Sequence, residues 1–225
     1  MTDPSAELAE ARLALVHRDR LIARIAHELR SPVATLLLWE TILRGTLDDE
    51  VRGQALDAIR RCAQSQESLV SGMLDLARLL AGALELDRRP LAIGEAVVDA
   101  LGRVAARAAD KQVSIERRDG GELELVSADQ ARLRQILSSL LSSVVDRAEP
   151  GSRIVVSVRR AAASIVIDVT ADDGATATAP TLGDDAPGGI ELALARELAV
   201  LHGGTFVTSR SGDIPSARCT LPTAS

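Results

Sequence analysis

The sequence predicts an α + α/β protein, in which an antiparallel helical hairpin forms a dimeric four-helix bundle and an α/β sandwich domain follows. Three observations predict it. Leu8, Leu15, Ile22, Leu29, Leu36 and Leu43 recur at every seventh position, the seam of a helix packed in a bundle. From about Glu50 to Ala83, the residues Val51, Ala55, Ala58, Cys62, Ser65, Leu69, Gly72, Leu76 and Leu79 repeat in steps of four and three. Beyond about Leu84 the texture changes to short β-branched runs between helical stretches, the pattern of an α/β layer structure. The predicted domains are therefore 1–83 and 84–225.

The elements follow in order. The first helix is expected from about Ala6 to Arg44. Gly45-Thr46-Leu47-Asp48-Asp49 makes a short turn, with Asp48 or Asp49 suited to cap the next helix. Two long helices joined by so short a turn form an antiparallel hairpin. Leu56, Ile59, Ala63, Val70, Met73 and Leu80 widen the second apolar stripe. One partner helix cannot cover that width, so a homodimer is predicted. In the second domain, helix is expected at Ala92–Asp110, short strands at Val113–Ile115 and Leu123–Val126, and helix again from Asp129 to about Ala148. Ile154–Val158 and Ile165–Val169 read as adjacent antiparallel strands. Asp173 to Pro187 reads as a loop. A last helix from Gly189 to Leu201 stops at Gly203-Gly204, and short strands near Thr205–Thr208 and Arg218–Leu221 close the domain.

Composition narrows the function. The net charge of −6 disfavours nucleic acid as a partner, because phosphate backbones select basic surfaces. Cys62 and Cys219 match no metal or redox spacing and read as reduced thiols of a cytosolic protein. No apolar run approaches the roughly 20 residues that span a bilayer, and no signal peptide opens the chain. The expected localisation is cytoplasmic.

The run Ile25-Ala26-His27-Glu28-Leu29-Arg30-Ser31-Pro32 carries the chemistry. His27 falls about 160° from Leu29 around the helix and should face solvent. Pro32 has no N–H for the carbonyl of Glu28, so the helix should bend beside His27. Outside any motif, an exposed histidine beside a glutamate is a solvated surface pair. His17 reads as a surface residue and His202 as a helix-terminus residue.

With these segments in place the chain resembles the sensor histidine kinases of two-component signalling along nearly its whole length. His27-Glu28-Leu29-Arg30-Ser31-Pro32 matches the family's H-box, Ala128 to Leu137 matches the lead into its asparagine box, and Leu201-His202-Gly203-Gly204-Thr205 matches the ending of its last helix. The resemblance implies a dimerisation and histidine-phosphotransfer hairpin followed by the Bergerat-type (GHKL) ATP-binding domain shared with gyrase-type ATPases. It makes His27 the phosphoacceptor, whose neutral imidazole would form a labile phosphoramidate. It makes Glu28 the general base. Ser31 takes the position from which related proteins orient a water to dephosphorylate their partner.

Several positions depart from the family pattern. Two asparagines four residues apart are usual on the asparagine-box helix, the second holding Mg²⁺; Ser139 and Ser143 stand there. A short hydroxyl is a poorer metal ligand than an amide carbonyl. Asp146 and Arg147 replace a lysine and an aromatic. In the first glycine box, Asp172 and Gly174 remain, and Thr176 replaces the second glycine. In the last, Gly189 remains, and Glu191 takes a glycine position where backbone amides approach polyphosphate. The stretch Asp173–Pro187 lacks the family's phenylalanine-bearing lid segment, and the chain's two aromatics, Trp39 and Phe206, fall outside the pocket.

Three functions follow. In the first, His27 exchanges phosphoryl with the aspartate of a response-regulator receiver domain docked on the surrounding helices, as a phosphotransferase or phosphatase whose ATP site is degenerate. Here the receiver brings its own Mg²⁺, Ser143 holds no metal, and no cofactor is bound. In the second, the protein is an ATP- and Mg²⁺-dependent autokinase. In the third, it is a non-enzymatic dimeric scaffold for a regulator.

Overall fold

The computed structural model describes residues 26, 29–30, 32–45, 48–120, 125–172, 189–211 and 214–224. The chain divides into two compact units, Met1–Ala77 and Arg78–Ser225.

In the first unit, helix α1 covers residues 32–43 and helix α2 covers Asp49–Leu80. The portion of the expected first helix before residue 26 lies outside the described residues. Asp48 caps α2: its Oδ1 accepts the N–H of Val51 at 2.8 Å, satisfying one of the donors a helix start leaves without a partner. Asp49 and Glu50 follow in the first turn and Arg78 sits in the last, an order that complements the helix dipole. The predicted seam is the buried face of α2 except at Ser65, which is exposed while Gln66 beside it is half-buried. Ala55, Ala58, Leu69 and Leu76 are buried, as is Gly72, while Val51, Cys62 and Leu79 are half-buried. On α1, Leu36, Trp39, Ile42 and Leu43 are half-buried. Ile59 and Met73 of the wider stripe are half-buried, whereas Val33, Leu37 and Leu38 on α1 and Leu56, Val70 and Leu74 on α2 are exposed.

The second unit contains two sheets. A small antiparallel sheet pairs β1 (Arg88–Ala92) with β3 (Leu125–Asp129). The larger sheet has the order β2-β4-β5-β7-β6, with β2 (Ser114–Gly120), β4 (Arg153–Ala161), β5 (Ser164–Asp172), β6 (Thr205–Ser211) and β7 (Ile214–Pro222). Its β2–β4 pair is parallel and the others are antiparallel. Helices α3 (Ile93–Asp110), α4 (Gln130–Val145) and α5 (Ile190–Leu201) supply the second layer. Alternation sets the buried face. Ile154, Val156 and Val158 of β4 and Ile165, Ile167 and Val169 of β5 are buried, together with Leu133, Ile136, Leu137 and Leu140 of α4 and Leu194 and Leu198 of α5.

Two strands and one helix differ from the expectation. β1 was not anticipated: Arg88-Arg89-Pro90 is exposed and lacks alternation, and proline is tolerated there because the strand has only one neighbour. β2 runs on to Gly120 through Glu116-Arg117-Arg118, whose charges resemble a loop until Glu116 pairs with Arg118 and Arg153. Helix α4 ends at Val145 rather than near Ala148, where Lys111 Nζ donates to the carbonyls of Val145 and Asp146 at 3.1 and 2.8 Å. The expected loop Asp173–Pro187 lies outside the described residues.

The Gly203-Gly204 stop has two separate causes. Gly203 takes φ of +82°, a left-handed turn that ends α5 without steric cost to glycine. At Gly204 a Cβ would lie 1.9 Å from the Thr220 carbonyl oxygen, so only glycine lets the chain pass β7 this closely.

Candidate functional site

The H-box residues His27, Glu28 and Ser31 lie outside the described residues, and so do Gly174 and Thr176 of the first glycine box. Around His27 the structure describes Ala26 and Arg30 as exposed and Leu29 and Pro32 as half-buried. From α2, Gln66 Nε2 donates to the Leu29 carbonyl at 3.1 Å.

In the second unit, α4 begins at a well-made cap. Asp129 Oδ1 accepts the N–H groups of Ala131 and Arg132 at 2.9 and 3.1 Å, and its Oδ2 accepts that of Asp87 at 3.2 Å. Burial opposes ionisation of this carboxyl, yet those backbone donors outweigh it and hold Asp129 below the ordinary aspartate pKa. From that cap α4 carries Ser139 and Ser143 one turn apart. Ser139 is buried and its hydroxyl donates to the Glu191 carbonyl on α5 at 3.3 Å. Ser143 Oγ donates back to the Leu140 carbonyl at 2.7 Å, which draws the hydroxyl toward its own helix. Each hydroxyl has a single proton, and in both it is committed to a backbone oxygen.

Gly189 is the N-cap of α5, in extended backbone. Its carbonyl accepts the N–H groups of Leu192 and Ala193 at 3.1 Å each. Glu191 is exposed in the first turn, where a negative charge favours the helix and disfavours an anion. Asp172 ends β5, in register with Arg153 of β4. Asp146, just past α4, is held by Arg107 of α3 at 3.0 Å, so the charge reversal read from the sequence is offset within the fold. Ser139 and Glu191 are thus brought together, whereas Asp146 is turned to α3.

The second unit also holds a network that periodicity does not reveal. His202 is fully buried. Its Nδ1 lies 2.7 Å from the Leu198 carbonyl and its Nε2 accepts the Asp129 N–H at 3.1 Å. That pair of contacts selects the neutral Nδ1–H tautomer. Burial lowers the His202 pKa, opposed by the Leu198 bond and the Asp129 charge and assisted by Arg88. Arg88 itself donates to the Leu201 carbonyl at 2.5 Å. So the end of α5, the start of α4 and the small sheet are tied at one place. His202, read only as a helix terminus, is this tie; its setting between Leu198 and Gly203 gave no hint of Asp129. Gln66 was likewise missed, although an amide one turn from Cys62 and Leu69 in an apolar stripe is a signal of a cross-helix bond.

A helical hairpin followed by an α/β unit is also the fold of solved histidine kinases. Residues 17–82 match the His Kinase A (phospho-acceptor) domain family. Sensor protein DivL of Caulobacter vibrioides is 28% identical over 233 residues, covering 99% of this chain and 30% of DivL. The cell-division control histidine kinase PdhS of Brucella anthropi is 26% identical over 152 residues, 66% of this chain and 14% of PdhS. The chain therefore spans less than a third of the length of either relative. Among solved structures, the Acinetobacter baumannii histidine kinase AdeS superposes with a TM-score of 0.67 at 18% identity, covering 88% of this chain and 98% of that one. Histidine kinase ThkA, in complex with response regulator protein TrrA, superposes at 0.65 and 16% identity, covering 100% of this chain and 68% of that one. Residues 17–82 thus match the phospho-acceptor family, and along nearly its whole length the chain is similar to histidine kinases of two-component signalling.

Proposed function

We propose that this protein is a dimeric phosphorelay component that carries phosphoryl on His27 and exchanges it with the aspartate of a response-regulator receiver domain. The observation that carries this reading is the state of Ser139 and Ser143. Their hydroxyl protons are committed to the Glu191 and Leu140 carbonyls, and the exposed Glu191 sets a negative charge in the first turn of α5. A hydroxyl on so short a stem reaches less far toward a metal than an amide carbonyl, and the Glu191 charge in the first turn of α5 opposes a phosphate there, so these residues fit a magnesium-bound polyphosphate poorly. A receiver domain docked by its acidic aspartate site supplies phosphoryl and metal together.

In the transfer, a ring nitrogen of His27 attacks the phosphorus of the receiver's aspartyl phosphate. The P–N bond forms as the P–O bond to the aspartate breaks, and the carboxylate leaves with the electron pair. Glu28 takes up or orients the proton on the other ring nitrogen. Ser31 orients a water when the partner is dephosphorylated. Dimerisation covers Val33, Leu37, Leu38, Leu56, Val70 and Leu74, all exposed on the single hairpin. The ThkA–TrrA complex supports a receiver as partner, since ThkA shares this fold.

The autokinase is the reading to displace. Incubation with γ-labelled ATP and Mg²⁺ should leave the chain unlabelled, and calorimetric titration with ATP should show no binding in the micromolar range. Label from ATP that disappears in His27→Ala would overturn the proposal in favour of the autokinase. Receiver binding without label from either source would leave a scaffold.

A further inference from the structure

The open face of α2 is itself a heptad stripe. Leu56, Ile59 and Ala63 precede Gln66, and Val70, Met73 and Ala77 follow it, in steps of three and four, so they all lie on one side of the helix. The stripe runs beside the buried seam of Ala55, Ala58, Leu69 and Leu76. Its residues alternate along the helix: Leu56, Ala63, Val70 and Ala77 are exposed, whereas Ile59, Gln66 and Met73 are half-buried. The single hairpin therefore covers only the near edge of the stripe.

Gln66 is the only polar residue in that run, and it stands at the middle. Its side chain is anchored within the hairpin, where Nε2 donates to the Leu29 carbonyl of the other helix at 3.1 Å. An amide side chain has two N–H groups and an acceptor oxygen. Among the described residues the second N–H and Oε1 of Gln66 make no hydrogen bond. On an open face water serves them. Once a second copy covers the stripe, they need partners or they cost stability.

The apolar residues alone do not fix where a second copy sits, because a slip of one heptad, about 10 Å along the helix, still sets apolar against apolar. Gln66 removes that ambiguity. From the middle of the stripe, pairing in register brings the amides of both copies into one layer, where each completes the other's hydrogen bonds. A slip parts them and buries each among apolar side chains. A slipped pair is also staggered, and its uncovered ends recruit further copies instead of closing the assembly. We infer that Gln66 is the specificity residue of the dimer interface: a polar layer at the centre of the open stripe admits a second copy in one register only, at a cost in stability. This rests on the homodimer of the proposed function.

Sedimentation velocity of the full chain, with thermal melts alongside, compares the wild type with Gln66→Leu and with Gln64→Leu, which makes the same change at an exposed position of α2 outside the stripe. The wild type and Gln64→Leu should each run as one dimer. Gln66→Leu should lose that single peak and spread over several larger species, yet melt no earlier than the wild type. A Gln66→Leu profile that keeps the single dimer peak would overturn the inference. So would a spread that comes with an earlier melt, or one that Gln64→Leu shares. A wild type that sediments as a monomer would instead remove the homodimer on which the inference rests.

Discussion

Leu38 and Leu140 are both helical leucines, yet Leu38 is 59% exposed and Leu140 is 0% exposed. The contrast extends to their units. In the α/β unit, Leu133, Ile136, Leu137, Leu194 and Leu198 bury their side chains against a sheet that the same chain supplies. In the hairpin, two helices leave Val33, Leu37, Leu38, Leu56, Val70 and Leu74 open. Among the described residues, one unit covers its apolar helix faces within a single chain, and the other leaves them open, as the proposed dimer requires. The chemistry is distributed the opposite way: the open unit bears the intact H-box, while the covered one bears the altered asparagine and glycine boxes. In this reading the α/β fold has been kept for its packing and the hairpin for its surface.

The largest expected effect tests that coverage directly. Leu140→Ala should cost the α/β unit about 2–5 kcal/mol, read from denaturant unfolding, and should leave the oligomeric state alone. A smaller cost would mean that the two layers do not form a tight core. Next, replacing Leu37 and Leu74 together by lysine should convert a dimer to a monomer in sedimentation analysis, since each exposed leucine contributes about 1.5–3 kcal/mol when covered. Unfolding of the α/β unit should not change. If the double variant stays dimeric, the open face is covered by something other than a second copy.

The tie at His202 gives a pH signature that belongs to the α/β unit alone. Its folded pKa is lowered, so below about 6.5 the unfolded chain binds more protons than the folded one. The stabilisation is full at neutral pH and falls as pH drops below that value toward the depressed folded one. Asp129, also lowered, adds a second loss at more acidic pH, below its unfolded value. Thermal melts should therefore decline on acidification from neutral pH, and His202→Gln should flatten the first part of that decline. A melt that rises between pH 7 and pH 5 would contradict the buried neutral ring. The smallest effect is at the hairpin turn: Asp48→Ala should destabilise α2 by about 1 kcal/mol, because the Val51 N–H loses its acceptor.

The parts of this molecule that sequence reveals are those set by repetition. The four-three steps of α2 and the alternation of Ile154–Val158 and Ile165–Val169 each report burial on one face, and the packing follows them except at exposed Ser65; of the heptad positions, Leu29, Leu36 and Leu43 are half-buried and the earlier ones lie outside the described residues. Asp48 was one of two capping candidates, because a cap is a local device. What stayed hidden is long-range. β1 needs β3 to become a strand, and Arg88-Arg89-Pro90 shows no alternation of its own. His202 meets Asp129 across 73 residues and Gln66 meets Leu29 across 37, so no local spacing could announce either. At the candidate nucleotide site, sequence showed which residues had changed; the hydrogen bonds of Ser139 and Ser143 show where their protons go. The charge at Asp146 needed the structure, since Arg107 lies 39 residues away.

The central claim is that His27 receives phosphoryl from another protein. A receiver domain carrying labelled aspartyl phosphate, mixed with the full chain, tests it most directly. Acid-labile label should appear on the wild-type chain and not on His27→Ala. Label that stays on the receiver, or that appears equally on His27→Ala, would contradict the account.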